Sequence, residues 1–338
     1  MKRAPLLIVV LIALIGCAAD SADVPGDLEW AIAIHGGAGT IPKSGPEEIS
    51  RGYQESLRQA LEIGRSVLRE GGTALDAVEK VVIFMEDDPH FNAGKGAVYN
   101  RDGGHELDAS IMDGRTLACG AVAGVTTVKN PIILARRVMN ETRHVLLMGE
   151  GAERFAGLMG VARVEPKYFD TERRREQWRR HLEESAGGDR AALVQADDAT
   201  LPRDRGTVGA VAVDRHGNLA AATSTGGLTG KMFGRIGDTP IIGAGNYASN
   251  SGSAVSGTGT GEEFIRHNVA YRVSALMEYR GLSLQEAAEE VVHRVLKPDD
   301  GGIIAADRRG NLALVFNSNG MYRGAADSSG RFEVAIWE

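Results

Sequence analysis

Cysteine is nearly absent from this chain of 338 residues, which contains two, Cys17 and Cys119. Cys17 belongs to the leader discussed below, so one thiol is left in the body and an internal disulfide is excluded. Metal-binding patterns are missing too. The eight histidines are scattered, with no HExxH and no paired cysteines, which argues against a catalytic transition metal. No Gly-x-Ser-x-Gly elbow is present to carry a serine nucleophile. Positive charge is in deficit: the formal net charge is −7 and the pI ≈ 5.7, so nothing attracts nucleic acid. Small-molecule chemistry is favoured.

Prolines number only 10, but there are 44 glycines. No Gly-X-Y period or polar repeat absorbs the excess, so collagen and disorder are excluded. The glycines sit at the ends of apolar runs, where a chain turns tightly or approaches a ligand closely. With 43% apolar and 25% charged residues, the composition is that of a globular protein. At the N-terminus, Lys2 and Arg3 precede an apolar run from about Leu6 to Ile15, too short to span a membrane. The run ends Leu14-Ile15-Gly16-Cys17, which resembles a bacterial lipobox. This predicts a signal peptide over 1–17, acylation of Cys17, and export to the periplasm or cell envelope with only a lipid anchor in the membrane. An ordinary signal peptide cut near Ala22 is the alternative. Residues 18–29 form a polar tether, and 30–338 read as one domain.

Trp30 to Ile34 reads as a buried strand running into a tight loop, His35-Gly36-Gly37-Ala38-Gly39. Helical spacing runs from Pro46 to about Glu70, and Thr73 caps a second helix through Met85. A strand is expected over Leu117–Val128, a helix over Pro131–Glu141 and a strand over Val145–Met148. From about Pro166 to Arg205, charged residues crowd out apolar ones, which predicts an exposed linker over about 166–206 that begins as a helix. Two later segments, Val211 to Ala220 and Ile304 to Ala313, share an Asp-Arg-x-Gly-Asn turn between apolar strands and read as β-hairpins. Helices are expected between them, at Glu262–Tyr279 and Leu284–Leu296. Strands apolar on both faces must be covered on both sides. The economical arrangement is an α+β fold, a four-layer α/β/β/α sandwich.

Two glycine-rich stretches fail as nucleotide sites. Gly226 to Met232 is one residue short of a phosphate loop and has Met232 where a magnesium-binding hydroxyl belongs. In Gly257-Thr258-Gly259-Thr260-Gly261, Glu262 occupies the third glycine position of a dinucleotide loop. What accumulates instead is threonine beside glycine: Thr207, Thr223, Thr225, Thr229, Thr258 and Thr260. Strand propensity accounts for Thr223. It does not account for Thr207, which follows a glycine at the end of the polar stretch and opens a core strand. If the bond before it is cut, the new α-amine, with an ordinary pKa of about 7.7–8.0, can take the hydroxyl proton as an internal base.

Gly206-Thr207-Val208-Gly209-Ala210-Val211-Ala212 resembles the processing site of the plant-type asparaginase and isoaspartyl aminopeptidase family of N-terminal-nucleophile hydrolases. The likeness extends through His35 to Gly39, Phe91-Asn92-Ala93-Gly94, Glu106 to Ala109, Gly120 to Gly124, Gly149 to Glu153, Thr223 to Gly227, Gly234 to Asp238 and Gly257 to Gly261, in family order. It implies cleavage at Gly206–Thr207 into an α subunit ending at 206 and a β subunit of 207–338, with Thr207 as nucleophile. It implies that Thr225 orients Thr207, that Thr258 and Asn92 form an oxyanion hole, and that Arg235 grips the substrate α-carboxylate. Asp238 and the Gly259 carbonyl would hold the α-ammonium, with Gly261 lining the pocket. A surface ion pair is the alternative for Arg235 and Asp238. The loop from Met85 to Gly96 resembles one that wraps a structural sodium with backbone carbonyls, here those of Met85, Glu86, Asp88, Phe91, Ala93 and Lys95; a solvated helix end is the plain reading of Glu86 to Asp88. No cofactor is implied for catalysis, and an (αβ)₂ assembly is. The implied activity is hydrolysis of asparagine and β-aspartyl dipeptides. A glycosylasparaginase and an inactive amino-acid-binding lipoprotein are the rivals.

Overall fold

The computed structural model describes residues 29–39, 41, 47–184, 206–232 and 234–337. The expected signal peptide, Cys17, nearly all of the tether and linker residues 185–205 lie outside the described residues. Ala31–Gly39 (β1) is buried at every position, because strands pair with it on both edges. Helices Glu47–Arg69 (α1) and Ala74–Asp87 (α2) follow, the latter opened by Thr73, whose hydroxyl accepts from the Asp76 amide at 3.1 Å. Next come Leu107–Asp113 (β2), Cys119–Val125 (β3), Pro131–Glu141 (α3), Leu146–Met148 (β4), Gly149–Leu158 (α4) and Glu172–Glu184 (α5). The remainder comprises Val208–Val213 (β5), Leu219–Thr225 (β6), Asn246–Ala248 (β7) and Ser253–Gly259 (β8). Then come helices Gly261–His267 (α6), Val269–Arg280 (α7) and Leu284–Glu290 (α8). Strands Gly301–Asp307 (β9), Leu312–Phe316 (β10), Gly320–Asp327 (β11) and Phe332–Ala335 (β12) close the chain.

Among the described residues the strands form an eight-stranded sheet, β12-β11-β1-β5-β6-β2-β3-β4, and a four-stranded sheet, β10-β9-β8-β7. Apolar side chains on both faces of the central strands produce three packed interfaces between four layers. Ile32, Ile34, Ala210 and Ala222 face α1 and α2, with Leu57, Val78 and Val82. Ala33, Val211 and Ala221 face the second sheet, meeting Ala254, Ile304 and Ala306. Val255, Ile303 and Ala305 turn outward to Val273, Ala287 and Val292 of α7, α8 and the turn after it. The expected α/β/β/α sandwich is what forms. No helix among the described residues is long and apolar enough to cross a membrane.

Several local expectations are corrected. His35 to Gly39 is strand, not loop: pairing with β11 continues to Gly39, interrupted by a bulge between His35 and Gly37. Pairing with β5 ends at His35 opposite Gly209, so the bulge peels β1 away from β5 just where Thr207 stands. The helix expected over Glu262–Tyr279 is two helices, broken at Asn268, whose φ of 48° is left-handed. The stretch from Pro166 is not an exposed linker as far as Glu184. Phe169 is fully buried, and Arg174 and Gln177 on α5 are 5% and 8% exposed.

Candidate active site

Strands β5 and β6 are antiparallel neighbours, with Val208 opposite Ser224. That register places Thr207, one residue before β5, beside Thr225 at the end of β6. The Thr207 hydroxyl donates to Thr225 Oγ1 at 3.1 Å, and the Gly227 amide donates to the same oxygen at 3.0 Å. Gly206, Thr207, Thr225, Gly227, Leu228, Arg235, Gly237, Asp238, Thr239 and Gly259 line one small pocket. Thr207, Thr225, Arg235, Asp238 and Gly259 are thereby brought together, as expected.

The carbonyl of Thr207 is held from β1. His35 Nδ1 lies 2.9 Å from Thr207 O and Nε2 lies 2.8 Å from Ser256 Oγ. A carbonyl only accepts, so Nδ1 carries the proton, and Nε2 accepts from Ser256. Ser256 in turn accepts from Thr223, 2.7 Å away. Burial drives the His35 pKa down to about 3, against the opposing bond to Thr207, so the imidazole is neutral. The histidine holds the backbone and is no general base for the hydroxyl.

At the other end of the pocket, Arg235 Nε and Nη2 donate to the two oxygens of Glu262, each at 2.9 Å. Burial raises the Glu262 pKa, but the bonds and charge of Arg235 outweigh it and hold the carboxyl below its usual range. Arg235 and Asp238 are not a solvated surface pair. Asp238 is 6% exposed, and its Oδ2 has no hydrogen-bond partner among the described residues. Burial lifts its pKa to about 6, opposed by the Arg235 charge. Gly261 sits against both: a Cβ there would lie 2.7 Å from Arg235 Nη2 and 2.8 Å from Asp238 Oδ1. Its glycine lets the two charged groups converge.

The expected oxyanion pair is placed less directly. Asn92 Nδ2 donates to Gly227 O at 2.8 Å and Oδ1 accepts from the Val98 amide at 3.0 Å, so this side chain braces the turn after Thr225. Thr258 is buried on β8 and accepts from the Ala38 amide at 3.1 Å. In the Met85–Gly96 loop, Glu86 is fully buried, which removes the solvated reading for it. Its carboxyl accepts from Ser224 Oγ at 2.6 Å and the Ile132 amide at 3.0 Å, and burial pushes its pKa up to about 8. The carbonyls of Glu86 and Phe91 crowd Gly94 and Gly96, where an added Cβ would come within 2.2 Å and 2.1 Å of them. No cluster of three or more metal-ligating side chains occurs among the described residues.

Residues 28–336 match the asparaginase family. The chain belongs to that family. It is 53% identical over 295 residues to an isoaspartyl peptidase of Salmonella typhimurium, covering 86% of this chain and 93% of that protein. It is 51% identical over 301 residues to the isoaspartyl peptidase of Escherichia coli, covering 86% and 91%. With the isoaspartyl peptidase/L-asparaginase of Mus musculus it shares 41% identity over 313 residues, covering 92% and 91%. Within the asparaginase-family fold the sequence reading overlooked two groups. From sequence Glu262 reads as the start of a helix and as a missing glycine in a nucleotide motif, not as a partner for Arg235, although its acidic position in the first turn of α6 is a usable signal. The His35 side chain bonds 172 and 221 residues away, and no local pattern announces that.

Proposed function

We propose that this protein is an autoprocessed threonine amidohydrolase that cuts itself before Thr207 and hydrolyses L-asparagine and β-aspartyl dipeptides. The observation that carries this reading is one pocket lined by both the Thr207–Thr225 hydroxyl pair and the Arg235–Asp238 charges. In maturation the Thr207 hydroxyl attacks the Gly206 carbonyl, the acyl group passes from nitrogen to oxygen, and water hydrolyses the ester. The freed amine then accepts the Thr207 proton as the hydroxyl attacks the substrate side-chain carbonyl. Ammonia or an amino acid leaves, and water releases aspartate from the β-aspartyl ester. Arg235 suits the α-carboxylate as a planar fork, with Glu262 fixing its orientation. Asp238 Oδ2 and the Gly259 carbonyl suit the α-ammonium. Thr258 retains its hydroxyl proton, and Asn92 Nδ2 a second N–H, for the developing oxyanion.

In Thr207→Ala the chain stays whole and ammonia release from asparagine disappears, checked by mass spectrometry and an ammonia assay. A Thr207→Ala protein that still splits at this bond overturns the mechanism. The glycosylasparaginase and binding-protein readings have no observation in their favour.

Three further readings accompany the proposal. Leu14 to Cys17 supports lipid anchoring in the cell envelope; palmitate label absent from the wild type refutes it. The close approach of the Glu86 and Phe91 carbonyls to Gly94 and Gly96 suits a sodium cradle completed by the carbonyls of Met85, Asp88, Ala93 and Lys95; a melting temperature equal in sodium and choline salts refutes it. Exposed Leu146 and Met148 on edge strand β4 suit self-association as (αβ)₂, refuted by a monomeric mass in solution.

A further inference from the structure

The helix α5 stands on the α side of the proposed cut, yet it reaches the turn whose residues Gly227 and Leu228 line the pocket. Arg174, Gln177, Trp178 and His181 share one face at helical spacing. Arg174 Nε donates to Gly96 O at 2.7 Å, fixing that face to the loop that carries Asn92. Its Nη1 donates to Gln177 Oε1 at 2.9 Å. A guanidinium can only donate, so this contact settles which end of the Gln177 amide is oxygen. Gln177 Nε2 therefore points the other way, donating to Thr229 Oγ1 at 2.8 Å. One turn further on, the His181 ring lies against Gly230, where an added Cβ would meet Nε2 at 2.2 Å. Gly230 has a φ of 71° and its amide donates to Tyr99 O at 2.8 Å. The Gly227–Gly230 turn is thus gripped from outside by α5 and from inside by Asn92 and Thr225.

Leu228 lies inside that turn, and among the described residues it is the one large apolar side chain lining the pocket. With the aspartyl head at Arg235 and Asp238 and the reacting carbonyl at Thr207, anything beyond the scissile bond extends away from the charged end. We propose that Gln177, oriented by Arg174, is a positioning residue that holds Leu228 through Thr229 as the surface for an apolar leaving group of a β-aspartyl dipeptide. This rests on the function proposed above. Ammonia, the leaving group of asparagine, is too small to use that surface.

The test compares L-asparagine with β-aspartyl-leucine in Gln177→Leu, Thr229→Val, their double variant and Gln177→Glu, with amide hydrogen exchange over residues 226–232. In each single variant, kcat/KM for β-aspartyl-leucine falls about tenfold, through KM, while that for asparagine stays within about twofold. The double variant is no worse than either single one, because both delete the same contact. Gln177→Glu keeps the wild-type ratio, since its carboxylate accepts from Arg174 and from the Thr229 hydroxyl. The turn exchanges faster in Gln177→Leu. Should Gln177→Leu not fold, Thr229→Val carries the same comparison. An unchanged substrate ratio in Thr229→Val overturns the proposal. If the wild type turns over neither substrate, the functional reading has failed on its own, and the exchange measurement still decides whether α5 holds the turn: faster exchange supports the grip, unchanged exchange overturns it.

Discussion

Asp238 is a buried carboxyl with one unpartnered oxygen, and it carries a pH signature. Under the proposed function its charged form receives the substrate ammonium, and burial sets its pKa at about 6. If the proposed cleavage frees the Thr207 amine, that group must also be deprotonated, with an ordinary pKa of about 7.7–8.0. Both requirements favour higher pH. On a logarithmic plot, kcat/KM for asparagine therefore climbs with a slope of one just below the amine pKa and a slope of two below about 6. Asp238→Asn lowers kcat/KM at least about 30-fold, the effect of about 2 kcal/mol typical when one partner of a buried charge pair is lost, and reduces the lower slope to one. Initial rates from pH 5 to 9 check both. At this scale Thr207 stands out locally, as a glycine-preceded hydroxyl that opens a core strand, whereas Thr225, Arg235 and Asp238 are singled out by the family resemblance, and the structure lines one pocket with all four. The engagement of Asn92 with Gly227 and Val98 was not, since it depends on a turn 135 residues away.

Elements were legible wherever a cap or a period marks them. Thr73 announced the start of α2, and Pro131 that of α3, which runs over Pro131–Glu141 as expected. Thr73→Ala leaves the Asp76 amide without its side-chain acceptor and destabilises the fold by about 0.5–2 kcal/mol, read as a lower urea midpoint at unchanged slope. Strand β2 went unread, since Leu107 to Asp113 mixes Asp108 and Ser110 into an otherwise apolar run. Those polar residues are buried because each has work inside: Ser110 donates to Thr239 O at 2.5 Å, and Asp108 accepts from the Gly124 amide at 2.8 Å. The glycines of β1 misled in the other direction. They suggested a loop, whereas they make the bulge that ends pairing with β5 and opens the sheet at Thr207.

Across the whole molecule, the α/β/β/α sandwich followed from strands apolar on both faces, but strand order did not, because β1 pairs with a strand almost 300 residues away. Under the proposed cleavage that order interleaves the two products. Strands β12 and β11 belong to the second chain, β1 to the first, β5 and β6 to the second, and β2 to β4 to the first. Separating them requires breaking the ladders on both sides of β1 and the ladder between β6 and β2. The matured protein is expected to elute as one species and to melt in one transition, with two bands only under denaturing electrophoresis; two native species on a sizing column contradict this. Refolding is where precursor and product part. Before the cut, every strand of the large sheet finds its neighbours within one polymer. Afterwards the same sheet is assembled from two separate molecules. The precursor, trapped as Thr207→Ala, should thus regain structure at a rate independent of dilution, while the denatured mature enzyme recovers in proportion to how often its halves collide. Maturation turns a unimolecular reaction into a bimolecular one, and the working enzyme has no equally easy route back from full unfolding.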